Sequence, residues 1–306
     1  MIASNWGGEI IMHKGLVSGL TKSQLATHIK HGRVTKIARG LNVWGRPTPL
    51  EVLWAVQQRY PQAVATGRTA AQLYLKREVT LPLELAAPKR LPASTYYSAR
   101  RSVRQQTREV LGCAVQNPLL ALAQIDWGCG IELCEALYAG HRGREKLEAD
   151  RAEISSLSAR AQELLRSAVL FTDSSAEIAV ARALQQAGLK IECNVFIGVY
   201  RWDIVIPSRK IAIEINGLKF HSELGVWIRD HWKNNEAVLR GWRTLRYTGH
   251  CVAHHLDYIV EQVAQPPNWS RRFYSFVHLW HKALLPKPWE EYTLPPEPEW
   301  VHEISP

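Results

Sequence analysis

The sequence predicts a mixed α/β protein in two bodies, and three observations carry that expectation. At roughly 150 residues per domain, 306 residues exceed a single domain. Residues 21–46 hold a helix signal, a glycine and a short alternating basic run. Residues 174–248 hold, in order, a helix, three β-rich runs, a helix and a last strand, the pattern of a compact α/β unit. Apolar residues make up 46% of the chain, enough material for real cores.

Residues 1–11 show no periodic pattern and are expected to be weakly ordered, with either Met1 or Met12 as the start. Thr21 is placed to cap a helix TKSQLATHIKHG that Gly32 closes, with Leu25, Ile29 and His28 as its inward stripe. The next run, RVTKIARGLNVWG, alternates and is split by Gly40, which reads as a hairpin. A helix, a glycine and a basic hairpin suit the end of a winged helix-turn-helix, in which a helix enters a groove and the wing meets phosphate. Lys22, Arg33, Lys36, Arg39 and Arg46 are then the DNA-facing residues; the alternative is a solvated basic hairpin.

Two helical stretches flank Tyr60-Pro61 within 50–77. Strands are expected at Leu81–Pro88 and Thr95–Tyr97, and helices from Asn117 to about Gln124 and over Gly130–Ala139. Residues 141–170 are charge-rich, with Leu147, Ile154, Leu157, Leu164 and Leu165 near helical spacing, and read as a helical connector between a region 13–140 and a second domain 171–264. The tail 265–306 holds eight of the 16 prolines and four of the 12 tryptophans. It is too aromatic for a disordered linker and is expected to wrap the body in irregular or polyproline form.

Charge divides the chain. Residues 1–108 hold 17 Lys and Arg against Glu9, Glu51, Glu78 and Glu84, a net +13, while the remainder is net −3. An excess this large in one segment is an electrostatic footprint for a polyanion, most simply duplex DNA. No stretch reaches the 18 or so apolar residues of a membrane span, and no signal-peptide core opens the chain. Five cysteines without a CxxC pair argue against a disulfide framework or a structural zinc site. The expected setting is cytoplasmic, with no membrane partner; a homodimer stays open.

The chemistry is expected in 174–248. In KIAIEIN, Ile211, Ile213 and Ile215 share one face, while Ala212, Glu214 and Asn216 share the other. Asp203 interrupts the apolar run VYRWDIVIP, where an acid is costly unless paired or metal-bound. The short turn Pro207-Ser208-Arg209 brings Asp203 and Glu214 together. Two such carboxylates repel, and a divalent cation removes the penalty. Their hard oxygens suit Mg2+ or Mn2+.

Two resemblances follow. Region 13–140 resembles AbiEi-type antitoxin proteins through GLTKSQL, KIARGLNVW, AVATGRTAAQL and NPLLALAQ. Those proteins pair a winged helix with a second small domain, and many bind DNA to control their own operon. Residues 174–248 have the layout of the PD-(D/E)XK nuclease core and resemble the very-short-patch-repair (Vsr)-like endonucleases. The matching residues are SSAE ending at Glu177, Trp202-Asp203, IEINGLKFH from Ile213 to His221, Arg229-Asp230, KNN from Lys233, and GWRTLRY from Gly241.

This second resemblance implies metal-dependent hydrolysis of a DNA phosphodiester. Asp203, Glu214 and the Ile215 carbonyl would hold the metal. Glu177 would complete the shell or hold a second metal. His221 would act as a base or contact phosphate, and Asp230 would orient it or hold a second metal. Arg246 would pair with a carboxylate or contact DNA. The lysine of Glu-x-Lys is Asn216 here, and Lys219 lies one turn further on. This departure keeps a second reading open, a DNA-binding regulator or antitoxin on a silent nuclease fold; an RNA-directed nuclease has little specific support.

Structural alternatives stand beside these roles. Asp203 and Glu214 could be ion pairs with Arg201, Arg209 or Lys210, His221 a structural histidine, Asp230 a partner of Lys233 or Asn234, and Glu177 a first-turn helix residue. Trp227, Trp232 and Trp242 are expected in the core rather than as stacking platforms.

Overall fold

The computed structural model describes residues 3–6, 9–12, 15–103, 106–216 and 224–264. The chain is mixed α/β. It opens on strands β1 (Ala3–Trp6) and β2 (Glu9–Met12), paired antiparallel, so the expected weak order of 1–11 gives way to a hairpin. Helix α1 (Lys22–Lys30) follows. Thr21 caps it and exchanges hydrogen bonds with Gln24, a capping box that satisfies two otherwise unpaired donors. Gly32 stands past its end at φ +67°, the left-handed turn that glycine takes without a Cβ penalty. No residue of α1 is fully buried; Leu25, His28 and Ile29 are half-buried, a weaker inward stripe than the spacing predicts.

Strands β3 (Val34–Ala38) and β4 (Leu41–Trp44) form the expected antiparallel hairpin. Ile37, Leu41 and Val43 from this hairpin enter the same core as the helices that follow, α2 (Pro49–Arg59) and α3 (Gly67–Tyr74). A five-stranded sheet is built from β5 (Val64–Ala65), β6 (Leu83–Ala87), β7 (Tyr97–Arg101), β8 (Thr107–Val110) and β9 (Cys113–Gln116), in the order β7-β6-β5-β9-β8. Helices α2 and α3 pack on it, and α4 (Pro118–Ala121) and α5 (Trp127–Leu137) pack against α3 in the same core.

Residues 141–170 are not a detached connector. They form α6 (Gly143–Ala152) and α7 (Ala159–Ser167), and Ala161, Leu164 and Ala168 are buried in the first core. Asp150 ties α6 down: Tyr138 donates to its carboxylate at 2.9 Å and Arg108 pairs with it.

The second body is helix α8 (Ser175–Gln186), strands β10 (Glu192–Ile197), β11 (Tyr200–Ile206) and β12 (Ile211–Asn216), helix α9 (Leu224–Leu239), strand β13 (Arg243–Thr248) and helix α10 (Gly249–Ala264). The sheet runs β10-β11-β12-β13, antiparallel except for the parallel pair β12–β13. One face packs Ile204, Ile206, Ile211 and Ile213 against α8 and α10. The other packs Trp202, Val205 and Ala212 against Ala237 of α9. The parallel crossover through α9 carries the chain over that second face, which is the face of Glu214.

Candidate active site

The carboxylates meet where the central ladder opens. β11 and β12 pair regularly from Ile206↔Ile211 to Ile204↔Ile213, and the next register position opposes Asp203 to Glu214. No backbone pairing is made there. The Asp203 carboxylate instead accepts from the Ile215 backbone N–H at 2.7 Å. On the other side of β11, the residue across from Asp203 is Asn194, held at φ 52°, a conformation rare for a residue with a side chain. Strict alternation would put Trp202 and Ile204 on one face. They lie in different cores, so the strand twists out of register at Asp203. The strain sits where the acid leaves the ladder.

Glu214 is nearly enclosed, its side chain 14% exposed, and the Lys233 ammonium of α9 pairs with it. Lys233 is itself buried, with Nζ 4.8 Å from the centre of the Trp202 ring. Burial pushes the Asp203 carboxyl up to about 6, with the nearby Glu177 charge adding to the shift and the Ile215 N–H, Lys233 and Arg201 opposing it. Glu214 is also raised, first by burial and then by the Asp203 charge, with Lys233 and Arg246 opposing.

Helix α9 presents a polar row to this site. Asp230, Lys233, Asn234 and Ala237 recur at helical spacing. Asp230 meets Arg246 at 3.5 Å, Asn234 accepts from Thr244 at 2.7 Å, and Ala237 enters the core. The expectation that Asp230 pairs with Lys233 or Asn234 is corrected: its partner is Arg246, which stands beside Glu214 in the β12–β13 register. Trp232 is also corrected, being 63% exposed rather than in the core; Trp242 packs half-buried against the α9-side core.

Glu177 is buried but committed. Its two oxygens accept from the Asp173 N–H and the Ser174 hydroxyl, both at 2.8 Å, closing the start of α8. This is the first-turn role that a helix N-terminus favours; each oxygen keeps a further lone pair, which the metal role that the resemblance implies would use. Asn216 ends β12, paired with Thr248. Lys219 and His221 lie outside the described residues. Sequence reasoning missed Lys233 as a site residue; the signal was its place three residues after Asp230, on the same face of one helix.

The donor set suits a hard divalent cation. Mg2+ is commonly held by one or two carboxylates, with water and phosphate filling its other positions. Asp203 and Glu214 supply two carboxylates that repel each other, and Lys233 cancels only part of their charge. Among the described residues, no group of three or more His, Cys, Asp or Glu side chains forms a ready metal cage. A separate cleft of about 1020 Å3, lined by Trp127, Ile131, Arg166, Arg182 and Lys190, does not include the carboxylate pair.

At the other end of the chain, Lys22, Arg33, Lys36, Arg39 and Arg46 are all exposed on or beside α1 and the β3–β4 hairpin. Among the described residues, no helix is long and apolar enough to cross a membrane. No family model matches the chain, and no curated protein matches it.

Proposed function

We propose that this chain is a metal-dependent DNA endonuclease of restriction, phage-defence or repair type, with an AbiEi-like winged-helix region that holds duplex DNA and a Vsr-like PD-(D/E)XK nuclease core. The observation that carries the reading is the opening of the β11–β12 ladder at Asp203. Two strand carboxylates face each other there without a backbone pair between them. Mg2+ or Mn2+ held by Asp203 and Glu214 would polarise a water and offset charge on the phosphate. Asp203 is oriented by the Ile215 N–H, Glu214 is held by Lys233, and Asp230 fixes Arg246 beside them. Supercoiled plasmid should be cut with Mg2+ or Mn2+ and spared with EDTA. Glu214→Ala should be inert with either metal while still shifting a DNA duplex; cutting by that variant would move the active site elsewhere.

A second reading, a DNA-binding regulator on a silent nuclease fold, is favoured by one observation: Asn216 at the lysine position. Both readings place binding on the basic half. Replacing Arg33, Lys36 and Arg39 together by alanine should weaken DNA binding and reduce the salt dependence of log K by about 0.9 for each phosphate that is no longer neutralised. An unchanged salt slope would exclude the hairpin from the interface. Wild-type protein that binds DNA but never cuts it, with cutting switched on by Asn216→Lys, would establish the regulator.

A further inference from the structure

Resting on the nuclease reading, we propose that Lys233 is the catalytic cation of this site, supplying from helix α9 the positive charge that position 216 lacks. Asn216 and Glu214 share a face of β12 by strand alternation. Lys233 comes down onto that same face from α9 and pairs with Glu214. Positions 216 and 233 thus reach one space by two routes, one from the strand and one from the helix above it.

Among the described residues, the other cations that act on the carboxylates, Arg201 and Arg246, are engaged with acids of their own. Arg201 pairs with Asp173 at 2.8 Å, and Arg246 meets Asp230 at 3.5 Å. Among the described residues, the ion-pair partner of Lys233 is a carboxylate of the site itself. The lysine is 8% exposed, and lysine is seldom so buried without a charged partner. The face of Trp202, fully buried, holds the ammonium from one side. A buried ion pair gains little over well-packed apolar residues of the same volume, so stability alone is a weak reason to keep this one. A phosphoryl site has a strong reason, because fixed positive charge is worth most where negative charge develops in a dry setting.

In the step served, a water oxygen bonds to phosphorus and one P–O ester bond breaks. The electron pair of that bond leaves with the ester oxygen, which takes up a proton from solvent, and the proton lost by the attacking water goes to solvent. Lys233 contributes charge and takes no part in these bond changes.

The test uses the full chain and three variants: Lys233→Met, which keeps length without charge, Lys233→Gln, and Lys233→Met combined with Asn216→Lys. Plasmid cutting in Mn2+ is followed under single turnover, and Mn2+ affinity without DNA is read by electron paramagnetic resonance. Lys233→Met should cut about 10²–10³-fold more slowly, the loss typical of one fixed transition-state donor. It should bind Mn2+ more tightly than wild type, because a like charge has left the pair. The combined variant should recover at least about tenfold of the rate, since charge is returned to the same space; a lysine that merely packs would show no such rescue. If Lys233→Met does not fold, Lys233→Gln, which still donates to Glu214, carries the same expectations.

Cutting by Lys233→Met within about threefold of wild type overturns the assignment while leaving the nuclease reading intact. If wild type itself proves inert with both Mg2+ and Mn2+, the nuclease reading falls, and the assignment of Lys233 falls with it.

Discussion

Asp150 and Asp203 are both carboxylates drawn into the protein, one in each body, and their surroundings differ in kind. Asp150 is 2% exposed, and two groups favour its anion: Tyr138 donates to it at 2.9 Å and Arg108 pairs with it. Burial still raises its pKa, but its charged and donating neighbours mostly pull the other way. Asp203 has one backbone N–H, a second carboxylate at the next register position and the charge of Glu177 within range, with the charges of Lys233 and Arg201 only partly offsetting its burial. Asp150 joins helix α6 to the first core. Asp203 breaks a strand ladder, sits opposite a left-handed asparagine and leaves two like charges facing each other. A chain that keeps the second arrangement accepts a local loss of stability, and such losses gather at functional sites.

The largest effect should separate the two acids by activity. Asp203→Ala should lower metal-dependent plasmid cutting by at least about a thousandfold, since no neighbour replaces the lost metal ligand. Asp150→Ala, assayed at a temperature where it is folded, should cut at close to the wild-type rate. The comparison breaks if Asp150→Ala loses activity per folded molecule, because its network would then belong to the site.

Thermal unfolding should order them the other way. Asp150→Ala strands the Tyr138 hydroxyl in the first core and removes one of the two acids paired with Arg108. One buried unsatisfied group and a broken pair should cost about 2–3 kcal/mol, which for a protein of this size lowers the melting temperature by roughly 3–5 °C. A melting temperature within about a degree of wild type would show that the network carries no net stability.

What the sequence disclosed, and what it hid, follows the same line. The element order of 174–248 was legible because each piece carries a local signal: Ser174 capping α8, strand runs rich in Val and Ile, and Gly241 closing the turn after α9. Asp203 and Glu214 stood out as acids in apolar strands. Strand β5 was hidden because it is two residues long, and β8 because Thr107–Val110 reads as exposed polar chain; both are fixed by pairing with distant strands. Lys233 was hidden by an inversion of the usual helix pattern. The inner row of α9 is Asp230, Lys233, Asn234 and Ala237, while Ile228, Trp232 and Leu239 are 43%, 63% and 85% exposed. Hydrophobicity turns such a helix the wrong way round. Only the charges of the opposing strands, Glu214 and Arg246, explain why its polar side faces inward.

The smallest effect is the most direct reading of the difference between the two acids. Asp203→Asn keeps an oxygen to accept from the Ile215 N–H and removes the charge that burial and its acidic neighbours oppose. In the metal-free protein at neutral pH it should therefore stabilise, by about 1–2 kcal/mol or a few degrees, where Asp150→Ala destabilises. The pH dependence fixes the cause. Asp203 titrates near 6 in the folded chain against an ordinary value of 3.8, so the folded state holds the proton more tightly than the unfolded state. Wild-type stability at this site is then lowest above the folded value and rises as pH falls through 6 toward 4, where protonation removes the buried charge. The advantage of Asp203→Asn should be full above about pH 7 and shrink to little by about pH 4.5. Mg2+ at neutral pH should shrink it likewise, by stabilising wild type and not the variant. An advantage that stayed constant from pH 8 to 4.5 would mean that the gain comes from packing, and that Asp203 is not held as a costly anion at all.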